Sequence, residues 1–166
     1  MKPLAIALAF VAALGLSGCG DTRTIRYEGP QVTRIVVMKS QRKMMLLHGA
    51  TPLATYDIGL GFRPEGDKLR EGDGKTPTGR YYIDRRNRDS KFHLSIGISY
   101  PNAEDVAEAR AAGVKPGGDI FIHGWSRKVA ARRGRDWTWG CIAVANDDIE
   151  QIYAMVGTGT PIDIYE

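Results

Sequence analysis

The sequence contains few of the residues that build disulfides and metal centres. It has only two cysteines, Cys19 and Cys141, and three histidines in 166 residues. His123 and Cys141 each lack the closely spaced second ligand that is usual in zinc sites, so we expect no metal and no cofactor. The one long apolar run lies at the N-terminus, and it is shorter than the ~20 residues that a membrane-spanning helix needs.

That N-terminal run has the composition of an export signal. One basic residue, Lys2, precedes a run of apolar residues, and small residues follow it. The ending Leu16-Ser17-Gly18-Cys19 resembles the lipobox of bacterial lipoproteins, in which the cysteine is lipidated. We expect residues 1–18 to be a lipoprotein signal peptide and residues 19–31 to be a lipidated tether. An ordinary signal cleaved nearby and an uncleaved anchor are the alternatives.

Lipidation of Cys19 would leave Cys141 without an intrachain partner. The 148 residues that remain after cleavage carry a net charge of +3 and are enough for one domain with a proper core. An unpaired cysteine in an exported protein is a candidate reactive thiol, because its compartment favours disulfides. The alternative is a buried cysteine that acts only as a small apolar side chain.

The pattern from Val32 onward predicts a mainly β domain. Short β-branched and apolar runs alternate with turn residues, as is typical of antiparallel strands; the runs are VTRIVVMK, KMMLLHG, TPLATYDIGLG, TGRYYID, FHLSIGI and TPIDIYE. Asn102 and Asn146 are positioned to cap two short helices, and the second helix has an apolar face. We expect one domain over residues 32–166, either a β-sandwich or a partly open barrel.

Several motifs fail on inspection. Gly74-Lys75-Thr76 resembles the end of a phosphate-binding loop, but Leu69 replaces the required glycine and Pro77 stands where a helix would begin. The acidic residues of the same loop lack the ligand spacing of an EF-hand. His48 and His93 lie at a turn and in a strand pattern, where histidines are more often structural than catalytic.

One pair of residues indicates nucleophilic catalysis. His123 ends the β-type run GGDIFIHGW, and Cys141 follows in Thr138-Trp139-Gly140-Cys141. A cysteine and a histidine that are distant in sequence but joined in space can form a nucleophile and its base. The imidazole takes the thiol proton, and the thiolate attacks a carbonyl carbon.

The segments around this pair resemble the YkuD-type L,D-transpeptidases. That family has His-Gly, a gap of similar length, and Ser/Thr-x-Gly-Cys-Ile/Val, which matches His123-Gly124 and Thr138-Trp139-Gly140-Cys141-Ile142. The resemblance covers roughly residues 32–166 and includes IVVMKSQRKMMLL, GDGKTPTGRYYI, ISYPNAED and GGDIFIHG. It implies a YkuD-like β fold and cysteine acyl transfer on peptidoglycan stem peptides.

The resemblance also assigns roles to residues. Cys141 would be the nucleophile, His123 the general base, and the carbonyl of Gly124 the group that orients the imidazole. Backbone amides of Trp139, Gly140 and Cys141 would hold the oxyanion. The hydroxyl of Thr138 would support this loop, and the substrate-binding residues would be Tyr100, Asn102 and Trp125, with helix capping as the alternative role of Asn102.

In the expected reaction, Cys141 attacks the carbonyl of the third-position diamino acid, D-alanine leaves, and an amine accepts the acyl group. Two departures bear on the last step. Trp139 replaces a second histidine found in many family members, and Ala143 replaces a common Arg or Asn. The alternatives are therefore a hydrolase that cleaves crosslinks or releases attached lipoprotein, and an inactive peptidoglycan-binding lipoprotein.

Two basic clusters, over residues 85–91 and 127–135, do not indicate a nucleic-acid-binding protein, because the chain carries an export signal. The simplest interpretation is that both clusters lie in solvated loops. The functional alternatives are that their charges contact stem-peptide carboxylates, or that residues 127–135 form a lid over the cleft. We expect a periplasmic protein anchored by its lipid, with an envelope lipoprotein as a further partner. Gly20, rather than aspartate, after Cys19 favours the outer membrane.

Overall fold

A computed structural model describes residues 26–125 and 134–166. The expected signal peptide, Cys19 and most of the region proposed as a lid lie outside these residues. Burial begins at Val32, after an exposed stretch in which only Tyr27 is half-buried. The described part contains eight strands, β1 (Arg34–Met38), β2 (Lys43–His48), β3 (Thr51–Asp57), β4 (Gly79–Ser90), β5 (His93–Ile98), β6 (Phe121–Trp125), β7 (Ile142–Ala145) and β8 (Pro161–Tyr165), and two helices, α1 (Ala103–Ala111) and α2 (Asn146–Met155).

The eight strands form one sheet in the order β3-β2-β1-β8-β4-β5-β6-β7. Only β1–β8 and β6–β7 are parallel pairs. The long strand β4 joins the two halves, because its beginning pairs with β8 and its remainder pairs with β5. The segment after β3 returns to β7 through reciprocal backbone hydrogen bonds of 2.8 Å between Gly59 and Ala143. The sheet therefore curls towards closure, which confirms a mainly β, partly open barrel in a single domain.

The core lies inside this curled sheet and consists largely of isoleucine side chains. β-Branched residues pack well on a pleated surface, and the alternation of each strand turns them inward. The helix α2 covers β5, β6 and β7 with Ile149 and Ile152, both fully inaccessible. No helix in the described ranges is long and apolar enough to span a membrane.

Of the two N-cap residues predicted from the sequence, one is confirmed and the other is wrong. Asn102 caps α1 as expected, because its side chain accepts from the amides of Glu104 and Asp105, and Asp105 reciprocates. The prediction for Asn146 is wrong. The N-cap of α2 is Ala145, which has no side-chain acceptor, and Asn146 is the first helical residue. The sequence pattern does not predict the short strand β7, which occupies the residues between Cys141 and this helix.

Candidate active site

The fold brings His123 and Cys141 to the same cavity. His123 lies in β6, and Cys141 immediately precedes β7, the parallel neighbour of β6. The cavity has a volume of about 420 Å³ and is lined by Asn87, Asp89, Ser90, Lys91, Phe92, Ser95, Asp119, Phe121, His123 and Cys141. Two residues that are distant in sequence thus face one space that is open to a ligand.

The imidazole of His123 is buried and oriented. Only 3% of the residue is exposed, and Nδ1 lies 2.9 Å from the carbonyl oxygen of Gly124. A carbonyl can only accept, so Nδ1 carries the proton and Nε2 is left as the basic nitrogen. Phe92 stacks on the ring at a centroid distance of 4.5 Å. Burial lowers the pKa of His123, although the hydrogen bond to Gly124 opposes this shift.

The thiol of Cys141 is partly buried, and its surroundings favour the protonated form. Its Sγ donates to the carbonyl oxygen of Asp119 at 3.5 Å. Burial raises the pKa of Cys141, whereas a hydrogen bond from the backbone amide of Phe121 and, to a smaller extent, the positive charges of Lys68 and Arg85 act in the opposite direction. A thiol in this state needs a nearby base before it can attack a carbonyl carbon, and the neutral His123 is such a base.

The loop that precedes Cys141 is held by the hydroxyl of Thr138. The hydroxyl donates to the carbonyl of Cys141 at 2.7 Å and accepts from the amide of Gly140 at 3.2 Å. The amide of Gly140 is therefore already engaged within the loop. This leaves the amides of Trp139 and Cys141 as the predicted oxyanion donors, and it gives Gly140 a role in shaping the loop.

Gly140 is required by a close approach of two loops. Its φ of +127° is one that other residues rarely adopt, and a Cβ there would lie 2.6 Å from the carbonyl oxygen of Lys75. Lys75 belongs to the GDGKTPTG loop, which is held by the buried carboxylate of Asp73. That carboxylate also accepts from the ammonium of Lys68 at 2.9 Å and from the amides of Leu69 and Arg70.

Hydrogen bonds with Leu60 fix the other side of the loop that precedes Cys141. The carbonyl of Leu60 accepts from the amides of Trp137 and Thr138, both at 3.1 Å. The amide of Leu60 donates to Asp136, whose carboxylate also pairs with Arg42 at 2.9 Å. The nucleophile therefore lies between two segments that belong to the first half of the sequence.

The remaining predicted residues lie elsewhere. Trp139 is 70% exposed and meets Phe62 edge to face at 4.9 Å. Trp125 packs against Trp137 and lies outside the cavity lining. Tyr100 and Asn102 lie outside the cavity lining: Tyr100 is buried, with its hydroxyl on the carbonyl of Pro116, and Asn102 has its alternative role of capping α1.

Sequence reasoning missed Phe92 and Asp119, which contact the imidazole and the thiol. Phe92 lies at the tip of the β4–β5 hairpin, and no local pattern predicts that this tip folds over β6. Asp119 acts through its backbone carbonyl and has a φ of 55°, neither of which its residue type reveals. Among the residues with described positions, no three His, Cys, Asp or Glu side chains group as a metal site would require.

Comparison with known proteins identifies the family of the domain. The model of the YkuD family, the L,D-transpeptidase catalytic domain, matches residues 32–164. Over 106 residues the chain is 32% identical to YafK of Escherichia coli K12, which is assigned to the L,D-transpeptidases; the match covers 63% of this chain and 35% of YafK.

Solved structures of other proteins share this fold. The helical cell shape determining protein Pgp2 of Campylobacter jejuni superposes with a TM-score of 0.64 and 25% identity, over 89% of this chain and 52% of Pgp2. Bd1075 of Bdellovibrio bacteriovorus gives 0.59 and 26%, over 81% of this chain and 48% of that protein. The chain thus spans about half or less of these relatives. It belongs to the YkuD family of L,D-transpeptidase catalytic domains.

Proposed function

We propose that the protein is a cysteine acyltransferase that acts on peptidoglycan stem peptides. The observation that carries this proposal is the placement of an oriented, neutral His123 and the thiol of Cys141 in the lining of one cavity. Nδ1 is committed to Gly124, so Nε2 is the nitrogen that can receive the thiol proton. Family membership supplies the substrate class.

The first half-reaction forms an acyl-enzyme. Nε2 of His123 takes the proton of Cys141, and Sγ attacks the carbonyl carbon of the third-position diamino acid. The amides of Trp139 and Cys141 stabilise the oxyanion. The C–N bond to D-alanine breaks as His123 returns the proton to the leaving amine, and a thioester remains on Cys141.

The second half-reaction releases the acyl group. An amine of another stem peptide loses a proton to Nε2 of His123 and attacks the thioester, and the thiol of Cys141 takes that proton as it leaves. The product is a 3→3 crosslink, or an attached envelope lipoprotein if that protein supplies the amine. Water in place of the amine gives hydrolysis.

One observation favours hydrolysis as a second candidate. Ala143 is fully buried and committed to Gly59 through its backbone, so position 143 offers no polar group to an acceptor peptide. Trp139 presents an exposed aromatic surface rather than an imidazole. An L,D-peptidase that opens crosslinks or releases attached lipoprotein passes the acyl group to water, so its second half-reaction needs no amine held in position.

Two measurements test these candidates. Intact-protein mass spectrometry after incubation with imipenem should show a covalent adduct that is absent in Cys141→Ala. A protein without any adduct would instead be a binding lipoprotein, and the enzyme proposal would fail. Product analysis with purified muropeptides then separates the two reactions: new dimers indicate transfer, whereas released fragments without dimers indicate hydrolysis.

We further propose that this domain acts at the cell envelope, tethered through a lipid on Cys19. The lipobox-like ending of the N-terminal segment supports this location. Metabolic labelling with a palmitate analogue should mark the wild-type chain and leave Cys19→Ala unlabelled. The similarity to Pgp2, which is named for determining helical cell shape, supports a role in shape, so we expect deletion of the gene to change cell curvature or width.

A further inference from the structure

Three residues lie in register across β4, β5 and β6 beside the cavity. Arg85 is opposite Gly97, and Gly97 is opposite Phe121. A Cβ on residue 97 would overlap the Cγ of Arg85 and lie 2.6 Å from the carboxylate oxygen of Asp84. The absence of a side chain at Gly97 is therefore what allows the arginine to cross β5 and reach β6.

The crossing side chain ends against two residues that line the cavity. The guanidinium carbon of Arg85 lies 4.5 Å from the centroid of the Phe121 ring, a cation–π contact. Nη1 donates to Asp84 at 2.7 Å, and Nη2 donates to Asp119 at 3.1 Å. Phe121 and Asp119 both line the cavity, and the carbonyl of Asp119 accepts the thiol of Cys141. The arginine thus touches two residues of the site without belonging to its catalytic pair.

The carboxylate of Asp119 occupies a place that another carboxylate can take. Its side chain is 92% exposed, and exposed ion pairs contribute little to stability. A ligand carboxylate that displaces it would meet a planar guanidinium already oriented by Phe121 and Asp84, which suits two parallel hydrogen bonds.

We propose that Arg85 is a specificity-determining residue that binds a carboxylate of the donor stem peptide beside the scissile bond. This inference rests on the proposed function. Stem peptides carry two such carboxylates, one at the C-terminal D-alanine and one on a diaminopimelate-type third residue. Ala143, two residues after the cysteine, is buried and offers no charge to the substrate, so Arg85 supplies a positive charge from β4 instead.

Other charged groups near the cavity are less suited to this task. Lys68 is buried and paired with Asp73. Lys91 and Asp89 line the cavity from the tip of the β4–β5 hairpin, and Lys91 is exposed there. A flexible ammonium on an exposed turn offers less orientation than a guanidinium stacked on an aromatic ring.

The test combines donor and protein variants. The full chain is given three disaccharide-tetrapeptide donors: one with free carboxylates, one amidated at D-alanine, and one amidated at the third residue. Wild type should lose about tenfold to hundredfold in kcat/KM on one amidated donor, because a charge-assisted pair is lost. The kcat/KM of Arg85→Gln should already be reduced to this extent on the donor with free carboxylates, and amidation should reduce it no further. The kcat/KM of Arg85→Lys should lie between the values of wild type and Arg85→Gln.

Two further variants sharpen the result. Gly97→Ala keeps the charge but displaces the arginine, so it should also lose discrimination between donors. Arg110→Gln removes an equal charge from the last turn of α1 and should behave as wild type. Thermal unfolding of each variant checks that it is folded.

The outcomes separate this inference from the proposed function. If Arg85→Gln discriminates between the donors as wild type does, or if wild type has the same kcat/KM on all three donors, Arg85 does not bind a donor carboxylate. Either result would leave the proposed acyl transfer unaffected. If no donor acylates Cys141 of the wild type, the proposed function fails and this inference fails with it.

Discussion

The Nδ1 nitrogen of His123 lies 2.9 Å from the carbonyl oxygen of the next residue, Gly124. A carbonyl orients the imidazole and fixes its tautomer as a carboxylate would, but it carries no full charge to stabilise an imidazolium. Burial adds to this by disfavouring the charged ring. The free protein therefore favours a neutral imidazole and a neutral thiol in the lining of one cavity, and we expect the proton to move when substrate is attacked.

The first prediction concerns the alkylation of Cys141 by iodoacetamide as a function of pH. Burial raises the pKa of this thiol above its ordinary value of 9.0, so the thiolate is the minor form at neutral pH. The alkylation rate should therefore rise continuously from pH 6 to beyond pH 9. Stopped-flow or mass-spectrometric rates on the substrate-free protein provide the measurement. A rate that reaches its plateau below pH 7 would show a preformed thiolate–imidazolium pair and contradict this prediction.

A second prediction concerns Gly140→Ala. The substitution places a Cβ 2.6 Å from the carbonyl oxygen of Lys75 at a φ of +127°, so the loop before Cys141 must shift. We expect imipenem acylation to slow at least about tenfold, because a displacement of ~1 Å can cost two orders of magnitude in rate.

Gly159→Ala is the matched control for this substitution. Gly159 also has a positive φ, of 84°, but a Cβ there would meet nothing within 4 Å. This variant should lose about 1–2 kcal/mol of stability from backbone strain and keep its acylation rate. Equal acylation rates in the two alanine variants would show that the close approach of Lys75 to residue 140 does not control the reactivity of Cys141.

The third prediction separates the contribution of the Thr138 hydroxyl from the contribution of the side chain's shape. Thr138→Val removes the hydrogen bonds to Cys141 and Gly140 but keeps the buried volume, whereas Thr138→Ser keeps both hydrogen bonds. Acylation should fall about tenfold in the valine variant, which corresponds to about 1.4 kcal/mol, and remain within about twofold in the serine variant. Loss of activity in both variants would indicate that the methyl group, not the hydroxyl, holds the loop.

Much of the fold and the central pair of the site could be predicted from sequence because they depend on local patterns. The β-branched runs predicted most of the strands, and the match around His123 and Cys141 selected two residues that line the same cavity. The cap at Asn146 failed because an Asn before a helical pattern is ambiguous by one residue, and here the preceding strand β7 continues to Ala145. Boundaries of this kind depend on pairing with β6, which a local pattern does not contain.

The surroundings of Tyr100 also depend on distant parts of the chain. Its ring packs against Tyr81 and its hydroxyl bonds to Pro116, and neither contact is visible in the local sequence. The same limit applies to Arg85, which reaches the site only because Gly97 and Phe121 lie beside it in register. Contacts across three strands require the topology, and the sequence alone does not reveal them.

A fourth prediction concerns the buried pair between Asp73 and Lys68. Burial alone would raise the pKa of Asp73, but hydrogen bonds from Arg70, Lys68, Lys75 and Leu69 outweigh it and leave the pKa below its ordinary value of 3.8. Asp73→Asn should lower the free energy of unfolding by about 3 kcal/mol at pH 7, because it leaves the ammonium of Lys68 buried and unpaired. It should also slow acylation of Cys141, since Asp73 fixes the loop that contacts Gly140.

The pH dependence distinguishes the ionised carboxylate from simple packing. Because the pKa of Asp73 is lowered in the folded protein, its contribution is present above pH 3.8 and is lost as the pH falls through the folded pKa. Urea unfolding from pH 7 down to pH 3 should therefore show the gap between wild type and Asp73→Asn narrowing below pH 4. Asp57→Asn, which removes exposed ion pairs with Lys43 and Arg135, should stay within about 0.5 kcal/mol of wild type throughout. A gap that stays constant over this pH range would mean that the carboxylate stabilises the loop through shape alone, because a group whose charge does not matter cannot make stability depend on its titration.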